Sequence, residues 1–155
     1  MMVDAASLGE AIDKRTVVTG LKAKTKDEVF DELTHRLHDA GYIDSPEAFM
    51  KALYEREGQG ATGIGEHVAI PHGRSDTVRR NGVAIAVLDH EIPWESLDDT
   101  GAKVVVLFAV GADDEGSKRH LQLLSEFARK LAKADVVHDL LQAQNTDQVV
   151  SALTR

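Results

Sequence analysis

VAIAVL (Val83–Leu88) and VVVLFAV (Val104–Val110) are two continuous apolar segments rich in β-branched residues. The residues on both alternating faces of each segment are apolar, which is typical of strands in a sheet that other elements cover on both sides. We therefore expect both segments to be central strands. Two shorter strands are predicted at Thr16–Val18 and at Val68–Ile70, where brief apolar runs stand between more polar stretches.

A first helix is predicted between Thr25 and Gly41. Thr25 and Glu28 have the spacing of a capping box, which marks a helix start, and glycine is the usual residue just past a helix end. The apolar residues between these two signals recur at a spacing of four: Val29, Leu33 and Leu37. This spacing gives an amphipathic helix that packs one face on a core.

A second helix is predicted to follow directly. Ser45 and Pro46 suit the cap and the first helical position, because serine accepts from a free backbone N–H and proline has no N–H to leave unpaired. Gly58 is a natural terminator, so this helix ends just after Arg56. Arg56 then precedes a stretch rich in glycine, Gly58–Gly82, by two residues.

Three more helices are predicted after the second long strand. Ser117 is a candidate cap for a helix whose apolar residues form one stripe: Leu121, Leu124, Phe127 and Leu131. Asp135 and Asn145 are candidate caps for two shorter helices that reach the end of the sequence. Helices thus bracket the strands at both ends of the chain, which predicts an α/β fold. We expect a three-layer α/β/α sandwich with a mixed central sheet of about five strands, formed by a single domain over residues 1–155.

The composition excludes several classes of function. The 26 acidic and 18 basic residues give a net charge of −8, which repels nucleic acid and anionic lipid. No segment approaches the ~20 apolar residues of a membrane span, and Met1–Ile12 carries acids where a secretion signal would carry bases. A cytoplasmic protein is therefore expected. The sequence has no cysteine, so the seven histidines are the side chains that titrate nearest neutral pH.

The segment Thr62–Gly73 (TGIGEHVAIPHG) is the most informative for chemistry. A short strand leads into Pro71, which restricts the backbone, and then into His72 and Gly73, where the absence of a side chain leaves the imidazole exposed. A histidine presented in this way suits a nucleophile that large partners must touch. A loop histidine is as often a solvated residue without a role, so the pattern alone leaves both interpretations open.

Two further residues are candidates for the same site. His120 stands three residues after the Ser117 cap, so we expect it in the first turn of its helix, where free amides and the helix dipole favour a neutral imidazole and attract an anion. Arg56 could bind a dianion through its planar fork of donors. The alternatives are that His120 only fills the helix start and that Arg56 pairs with neighbouring acids at the surface.

Three runs of sequence together resemble the fructose/mannitol-type enzyme IIA domains of the bacterial sugar phosphotransferase system. They are Tyr54–Glu57, then Gly63–Gly65 with Ala69–Gly73, and finally His120–Ser125, and they cover nearly the whole chain in the expected order. The resemblance implies that His72 is the phosphoryl acceptor, that His120 is its companion and that Arg56 helps to hold the phosphate. The linker before His120 departs from the family, since it is long and ends in two bases where members often have an acid.

The resemblance also implies a mechanism and partners. In the family, a histidine-containing phosphocarrier protein donates the phosphoryl group to the IIA histidine, on Nε2, and a cysteine of a IIB component receives it, with IIC in the membrane. The expected activity is that of a phosphotransferase component in sugar uptake, with a covalent phosphohistidine and no metal or organic cofactor. A nitrogen-regulatory IIA paralogue, which binds regulators according to its phosphorylation state, is the alternative.

Other patterns are weaker. Gly58–Gly63 matches a dinucleotide fingerprint but follows a helix and leads into a strand, the reverse of the required order. His35 and His38 share a helical face without a third metal ligand, and Trp94 is expected to fill a core rather than to stack on a sugar. A metal-dependent hydrolase built on His67, His72 and His120 is the remaining enzyme class, with few carboxylates at helpful spacing.

Overall fold

The long apolar segments form two adjacent strands at the centre of a six-stranded sheet in the computed structural model. The structure describes the backbone of residues 5–154 and the side chains of residues 8–154. Met1–Asp4, the start of the segment in which we predict no secretion signal, lie outside the described residues. The strands are β1 (Val17–Leu21), β2 (Gly63–Gly65), β3 (Val68–Ala69), β4 (His72–Ser75), β5 (Gly82–Ile92) and β6 (Ala102–Gly111).

Helices cover the sheet on both faces, as the sequence predicts. They are α1 (Ala5–Ala11), α2 (Lys26–Asp39), α3 (Pro46–Glu57), α4 (Asp114–Leu131), α5 (Ala134–Gln142) and α6 (Thr146–Thr154), with a short 3₁₀ turn at Lys14–Thr16. None of the helices in the described part of the chain combines the length and the apolar character that crossing a bilayer requires.

The sheet divides the apolar interior into two cores. Alternate residues of β5 and β6 point to opposite faces, so Ala84 and Leu107 pack with α2 and α3 while Ile85 and Phe108 pack with α1, α4, α5 and α6. Each face therefore needs apolar residues, which explains the absence of polar alternation in both segments. The predicted three-layer α/β/α sandwich is confirmed.

Strand pairing is mixed, as predicted. The sheet order is β1-β5-β6-β3-β2, with β4 also pairing with β6. β1 is parallel to β5, β5 is antiparallel to β6, and both β3 and β4 run parallel to β6. The pairs Val68↔Val104 and His72↔Phe108 have the same offset in residue number, so β3 and β4 are one strand along β6 that is interrupted at Ile70 and Pro71.

Most predicted helix ends are confirmed. The Thr25 hydroxyl accepts from the backbone N–H of Glu28, the Ser45 hydroxyl accepts from Ala48, and the Asn145 side chain accepts from Gln148. Each of these bonds satisfies a backbone donor that has no partner inside its helix. α2 and α3 consequently begin and end where the sequence places them, and α3 carries Arg56 in its last turn.

The predicted caps of α4 and α5 are wrong. Asp113, not Ser117, caps α4, since its carboxylate accepts from the backbone N–H of Gly116 at 2.6 Å. Gly116 therefore lies inside the first turn of α4. The residue here is glycine because a Cβ would meet Asp113 Oδ1 at 2.8 Å. Lys133 precedes α5 without a side-chain cap bond, which leaves Asp135 in the first turn. An acid at such positions still interacts favourably with the helix dipole.

His120 is therefore not in the first turn of its helix. α4 begins at Asp114, which makes His120 its seventh residue. Only the first four N–H groups of a helix lack a partner within it, so none of them is at His120. The argument that free amides and the helix start favour a neutral His120 is wrong, and another cause is required.

The turn between β2 and β3 holds Glu66 and His67 with positive φ, at 55° and 68°. Both central residues of a type I′ hairpin turn need this conformation, for which Asn-Gly is preferred. Asp98 accepts from the N–H of Glu66 at 3.0 Å and the Thr100 hydroxyl accepts from that of His67 at 3.2 Å. These bonds hold the turn in a conformation that its own side chains disfavour.

Replacing Glu66 and His67 with asparagine and glycine is therefore expected to raise the free energy of unfolding by about 1 kcal/mol. The gain comes from relieving two left-handed residues while keeping the backbone donors that Asp98 and Thr100 bind. Denaturation with guanidinium chloride measures it. An unchanged or lower stability would contradict the assignment of strain to this turn.

Candidate functional site

His72 is the first residue of β4 and faces α4. It pairs with Phe108 of β6, and the two rings are 5.2 Å apart between centroids with planes inclined at 37°. Pro71 precedes it, and the carbonyl of Pro71 accepts from the N–H of Phe108 at 2.9 Å. The imidazole is half-buried. The interrupted strand therefore presents this ring at a defined place on the α4 face of the sheet.

Gly73 serves a purpose that the sequence alone did not reveal. It points to the opposite face of the sheet, where a Cβ would lie 2.6 Å from Cε1 of Phe49 in α3. Real Cβ atoms do not approach so closely, so a larger residue would push β4 away from α3 or turn its backbone. Gly73 thus lets β4 pack tightly on α3 next to His72.

The structure brings His120 against His72. Their ring centroids are 4.8 Å apart and the planes are nearly perpendicular, at 88°. Phe108 lies beneath both rings, 5.3 Å from His120, and Phe127 of α4 supports Phe108 from the core at 5.4 Å. Edge-to-face contacts of this kind fix the relative orientation of rings. The two imidazoles therefore form one site on an aromatic floor.

Both imidazoles are uncharged at neutral pH. The pKa of His72 is lowered to about 4, chiefly by burial, and the nearby His120 and the positive charge of Arg56 contribute in the same direction. Burial also lowers the pKa of His120. Burial thus replaces the helix start as the reason for a neutral His120. A neutral imidazole keeps a lone pair, which a nucleophile needs.

The two nitrogens of His72 differ. Nδ1 is buried and makes no hydrogen bond, although the backbone of Ile70 is near enough to favour the protonated ring weakly. The residue as a whole is only half-buried, so its exposed atoms lie away from Nδ1. We infer that Nε2 is the nitrogen that solvent or a partner molecule can reach.

The lowered pKa of His72 is expected to make the protein less stable in acid. In the unfolded chain this histidine titrates near its usual value of about 6.5, so the unfolded chain binds the proton first as pH falls. The stabilisation is complete above pH 6.5 and is lost between there and about pH 4. With allowance for the partial exposure of the ring, we expect a loss of about 2 kcal/mol.

His72→Gln removes this titration and provides the comparison. The difference in unfolding free energy between the two proteins, measured by denaturation from pH 7 to pH 4, should change by that amount in favour of the variant. Parallel curves over the whole range would show that the folded protein does not depress the pKa of His72.

Arg56 lies at the edge of the same site. Its guanidinium donates to the carbonyl of Gly60 at 3.2 Å, and its charge is one of the causes that lower the pKa of His72. The planar group retains further donors beyond the one that Gly60 engages. All three predicted site residues, His72, His120 and Arg56, therefore belong to one region of the surface.

The other candidate patterns lie elsewhere or have structural contacts. His35 and His38 are exposed on α2, and His67 contacts Glu91. No group of three or more His, Cys, Asp or Glu side chains in the described part of the chain could hold a metal ion. Trp94 is buried, as expected. Gly58–Gly63, which matches the dinucleotide fingerprint, follows helix α3 and leads into strand β2, the reverse of the order that such a site requires.

Sequence reasoning missed the residues that support the site. Phe108 is indistinguishable from the other apolar residues of its strand, and only its pairing with His72 reveals its position. Thr62 forms a part-buried hydrogen bond at 2.7 Å with Glu57, the residue after Arg56. Glu57 ends the segment Tyr54–Glu57 and Thr62 begins the segment Thr62–Gly73, and these positions were the only signal in the sequence. Contacts between distant loops leave no local pattern. Glu66 lies exposed in the β2–β3 turn.

The chain matches the family model described as "Phosphoenolpyruvate-dependent sugar phosphotransferase system, EIIA 2" over residues 10–155. It is 36% identical to the fructose-specific EIIA component of Haloferax volcanii over 83% of this chain and 82% of that protein. It is also 30% identical to the fructose-specific EIIABC component of Bacillus subtilis over 94% of this chain. The chain spans only 23% of that relative's length.

Solved structures show the same fold. The nitrogen regulatory protein IIA-Ntr of Neisseria meningitidis superposes with a TM-score of 0.85 at 24% identity, covering 95% of this chain and 99% of that one. Mannitol enzyme IIA of Escherichia coli, in its complex with phosphorylated enzyme IIB, superposes with a TM-score of 0.77 at 25% identity, covering 92% and 96%. Both likenesses extend over nearly the full length of each chain.

Proposed function

This chain belongs to the EIIA 2 family of the phosphoenolpyruvate-dependent sugar phosphotransferase system, and on that premise we propose that it relays a phosphoryl group through His72. One observation supports the proposal above the others. A half-buried neutral imidazole, whose Nδ1 is buried, lies beside a second neutral imidazole and close to a guanidinium. This set of groups can accept a phosphoryl group and hold its charge.

The proposed step is an in-line displacement at phosphorus. Nε2 of His72 attacks the phosphoryl group of a phosphohistidine on the carrier protein, and a new phosphorus–nitrogen bond forms while the donor bond breaks. The electron pair of the broken bond returns to the donor imidazole. Such transfers need mainly positioning and compensation of charge on the phosphoryl oxygens, so residues of the chain suffice as the catalytic groups.

Arg56 and His120 have distinct proposed roles. Arg56 supplies a permanent positive charge and a planar set of donors for the phosphoryl oxygens. His120 can donate one hydrogen bond while neutral, and a dianion on His72 would favour its protonation. Both groups stabilise the charge that moves onto the site during transfer.

The proposed partners follow from the relay. A histidine-containing phosphocarrier protein is the donor, and a IIB component, working with IIC in the membrane, is the acceptor. This chain has no cysteine, so the proposed acceptor thiol must belong to another protein or domain. The E. coli relative of similar fold was solved as a complex with phosphorylated enzyme IIB, which supports a IIB partner.

Phosphoryl acceptance can be tested directly. The protein is mixed with the phosphocarrier, its kinase and phosphoenolpyruvate, and the intact mass is measured. We expect a gain of one phosphate that is lost on mild acid treatment, because phosphorus–nitrogen bonds are labile to acid. A chain that gains no mass while the carrier becomes phosphorylated would contradict the relay.

Phosphoryl transfer from this chain to a IIB component distinguishes sugar uptake from the nitrogen-regulatory alternative. That alternative stays open because the nitrogen regulatory protein IIA-Ntr has the same fold. Phosphorylated protein mixed with a fructose-type IIB component is expected to lose its phosphate to the IIB cysteine, with a matching mass gain on IIB. A IIB variant with serine at that cysteine is the control. Phosphate that stays on this chain in both mixtures would favour the regulatory role.

A further inference from the structure

Thr62 lies at the centre of a polar network between the end of α3 and the loop that carries Trp94. Its side chain is only 3% exposed, and its hydroxyl donates to Oε1 of Glu57 at 2.7 Å and accepts from the indole N–H of Trp94 at 2.8 Å. A hydroxyl that donates once and accepts once in fixed directions is held in one rotamer. The contact therefore ties the loop after α3 to the loop that carries Trp94.

The network continues through Glu57 to α2. The Glu57 side chain is 9% exposed, and its second oxygen accepts from Nζ of Lys26 at 3.0 Å. The Lys26 ammonium also contacts Glu95 at 2.5 Å and lies 4.7 Å from the centre of the Trp94 ring. Buried polar groups are rigid when every member has a partner, which is the case for Thr62, Glu57 and Trp94, whereas Glu95 is exposed at the edge of the network.

The same threonine binds the segment that carries His72. The carbonyl of Thr62 accepts from the N–H of Ile70 at 2.9 Å, two residues before His72. On the other side, the carbonyl of Pro71 bonds to Phe108 of β6. The interruption between β3 and β4 is thus held at two consecutive residues, and the Ile70 backbone lies near the His72 ring.

We propose that Thr62 is a positioning residue that fixes the His72 ring, with Nδ1 inward and Nε2 outward, and sets its place relative to Arg56. Glu57, which Thr62 binds, directly follows Arg56 at the end of α3. The network therefore connects the backbone of the acceptor segment with the helix end that carries the guanidinium. This inference rests on the proposed function, since positioning matters only if His72 reacts.

Thr62→Val tests the proposal, because valine has nearly the same shape but lacks the hydroxyl. It leaves Oε1 of Glu57 and the Trp94 N–H without the hydroxyl as partner, and the loop is expected to shift. We expect the pKa of His72, measured by NMR of the ring nitrogens, to rise by about 1 as the ring becomes more exposed. Phosphoryl acceptance should slow about 10-fold, since small misplacements of reacting groups are costly. Thr62→Ser retains the hydroxyl and should restore both values.

Thr16→Val is the matched control. Thr16 is also buried, and its hydroxyl contacts the carbonyl of Val83 at 2.8 Å, away from the Thr62 network. It should lower the melting temperature without changing the titration of His72 or the transfer rate. An unchanged His72 titration in Thr62→Val, or equal changes in both variants, would overturn the positioning role.

The proposal remains testable if the Thr62→Val variant does not fold or if the unmodified protein accepts no phosphate. If Thr62→Val does not fold, Trp94→Phe removes one donor from the hydroxyl, and an unchanged His72 titration in that variant overturns the proposal. If the unmodified protein accepts no phosphate, the proposed function fails, while the NMR titration still decides whether Thr62 positions the ring.

Discussion

Replacing His72 with alanine is expected to abolish the acid-labile gain of one phosphate completely. The methyl group of alanine has no lone pair, and the variant loses the contact between the His72 and His120 rings, the one pair of packed imidazoles in the described part of the chain. The expected result is an intact mass that stays at the unmodified value after prolonged incubation with kinase, phosphocarrier and phosphoenolpyruvate. This is the largest effect we predict, since it removes the attacking atom.

His67→Ala is the matched control for this variant. His67 lies five residues earlier, in the β2–β3 turn, and its ring contacts Glu91 of β5. It should gain one phosphate at the normal rate. Thermal melting of both variants checks that the fold persists. A full phosphate gain in the His72→Ala variant would place the acceptor at another residue and remove the site described above from the reaction.

Replacing His120 with alanine is expected to leave phosphoryl acceptance in part and to slow onward transfer to IIB about 10²-fold. The reason is its position, since the His120 ring lies perpendicular to that of His72 with 4.8 Å between centroids. From there it can donate a hydrogen bond to the phosphoryl oxygens and stabilise their negative charge. Rapid-quench measurement of both half-reactions separates the two rates. The effect should be larger on the step in which the phosphoryl group leaves His72.

His120→Gln provides the conservative comparison, because its amide keeps a hydrogen-bond donor without the ability to carry a positive charge. An intermediate rate would assign part of the effect to the hydrogen bond and the rest to protonation. If both variants transferred at the unaltered rate in each direction, His120 would be part of the aromatic packing with Phe108 and have no role in the transfer.

The parts of the fold that depend on long periodic patterns could be predicted from the sequence. Val83–Leu88 and Val104–Val110 are apolar on both alternating faces because two cores meet at the sheet, and the structure has them as adjacent strands. α2 and α3 carry clear cap and terminator residues, and their boundaries agree with prediction. In both cases the local sequence and the tertiary packing favour the same conformation.

The parts that depend on contacts between distant residues could not be predicted in the same way. β4 reads His-Gly-Arg-Ser, which has little strand propensity, and it is a strand because β6 pairs with it. The cap predicted for α4, Ser117, lies four residues after the observed cap, Asp113, because Gly116 resembles a loop residue. Its close contact with Gly111 and Asp113 instead requires glycine inside the helix.

The candidate site shows the same division. His72, His120 and Arg56 were identified from motifs, and the structure brings the two imidazoles together, with Arg56 near enough to influence the pKa of His72. The reason that we gave for a neutral His120 was wrong, since burial and not the helix start is responsible. Their roles in phosphoryl transfer remain proposals that the variants above test.

β3 and β4 pair with β6 in one continuous register, and this register limits how the segment between Ala69 and His72 can change in length. Because successive residues of a strand point to opposite faces, deleting one residue between Ala69 and His72 would bring the imidazole to the side where Gly73 now meets Phe49. An insertion would have the same result. The number of residues here is therefore under a stricter constraint than their identity, and homologous genes should gain and lose codons in the surrounding loops instead.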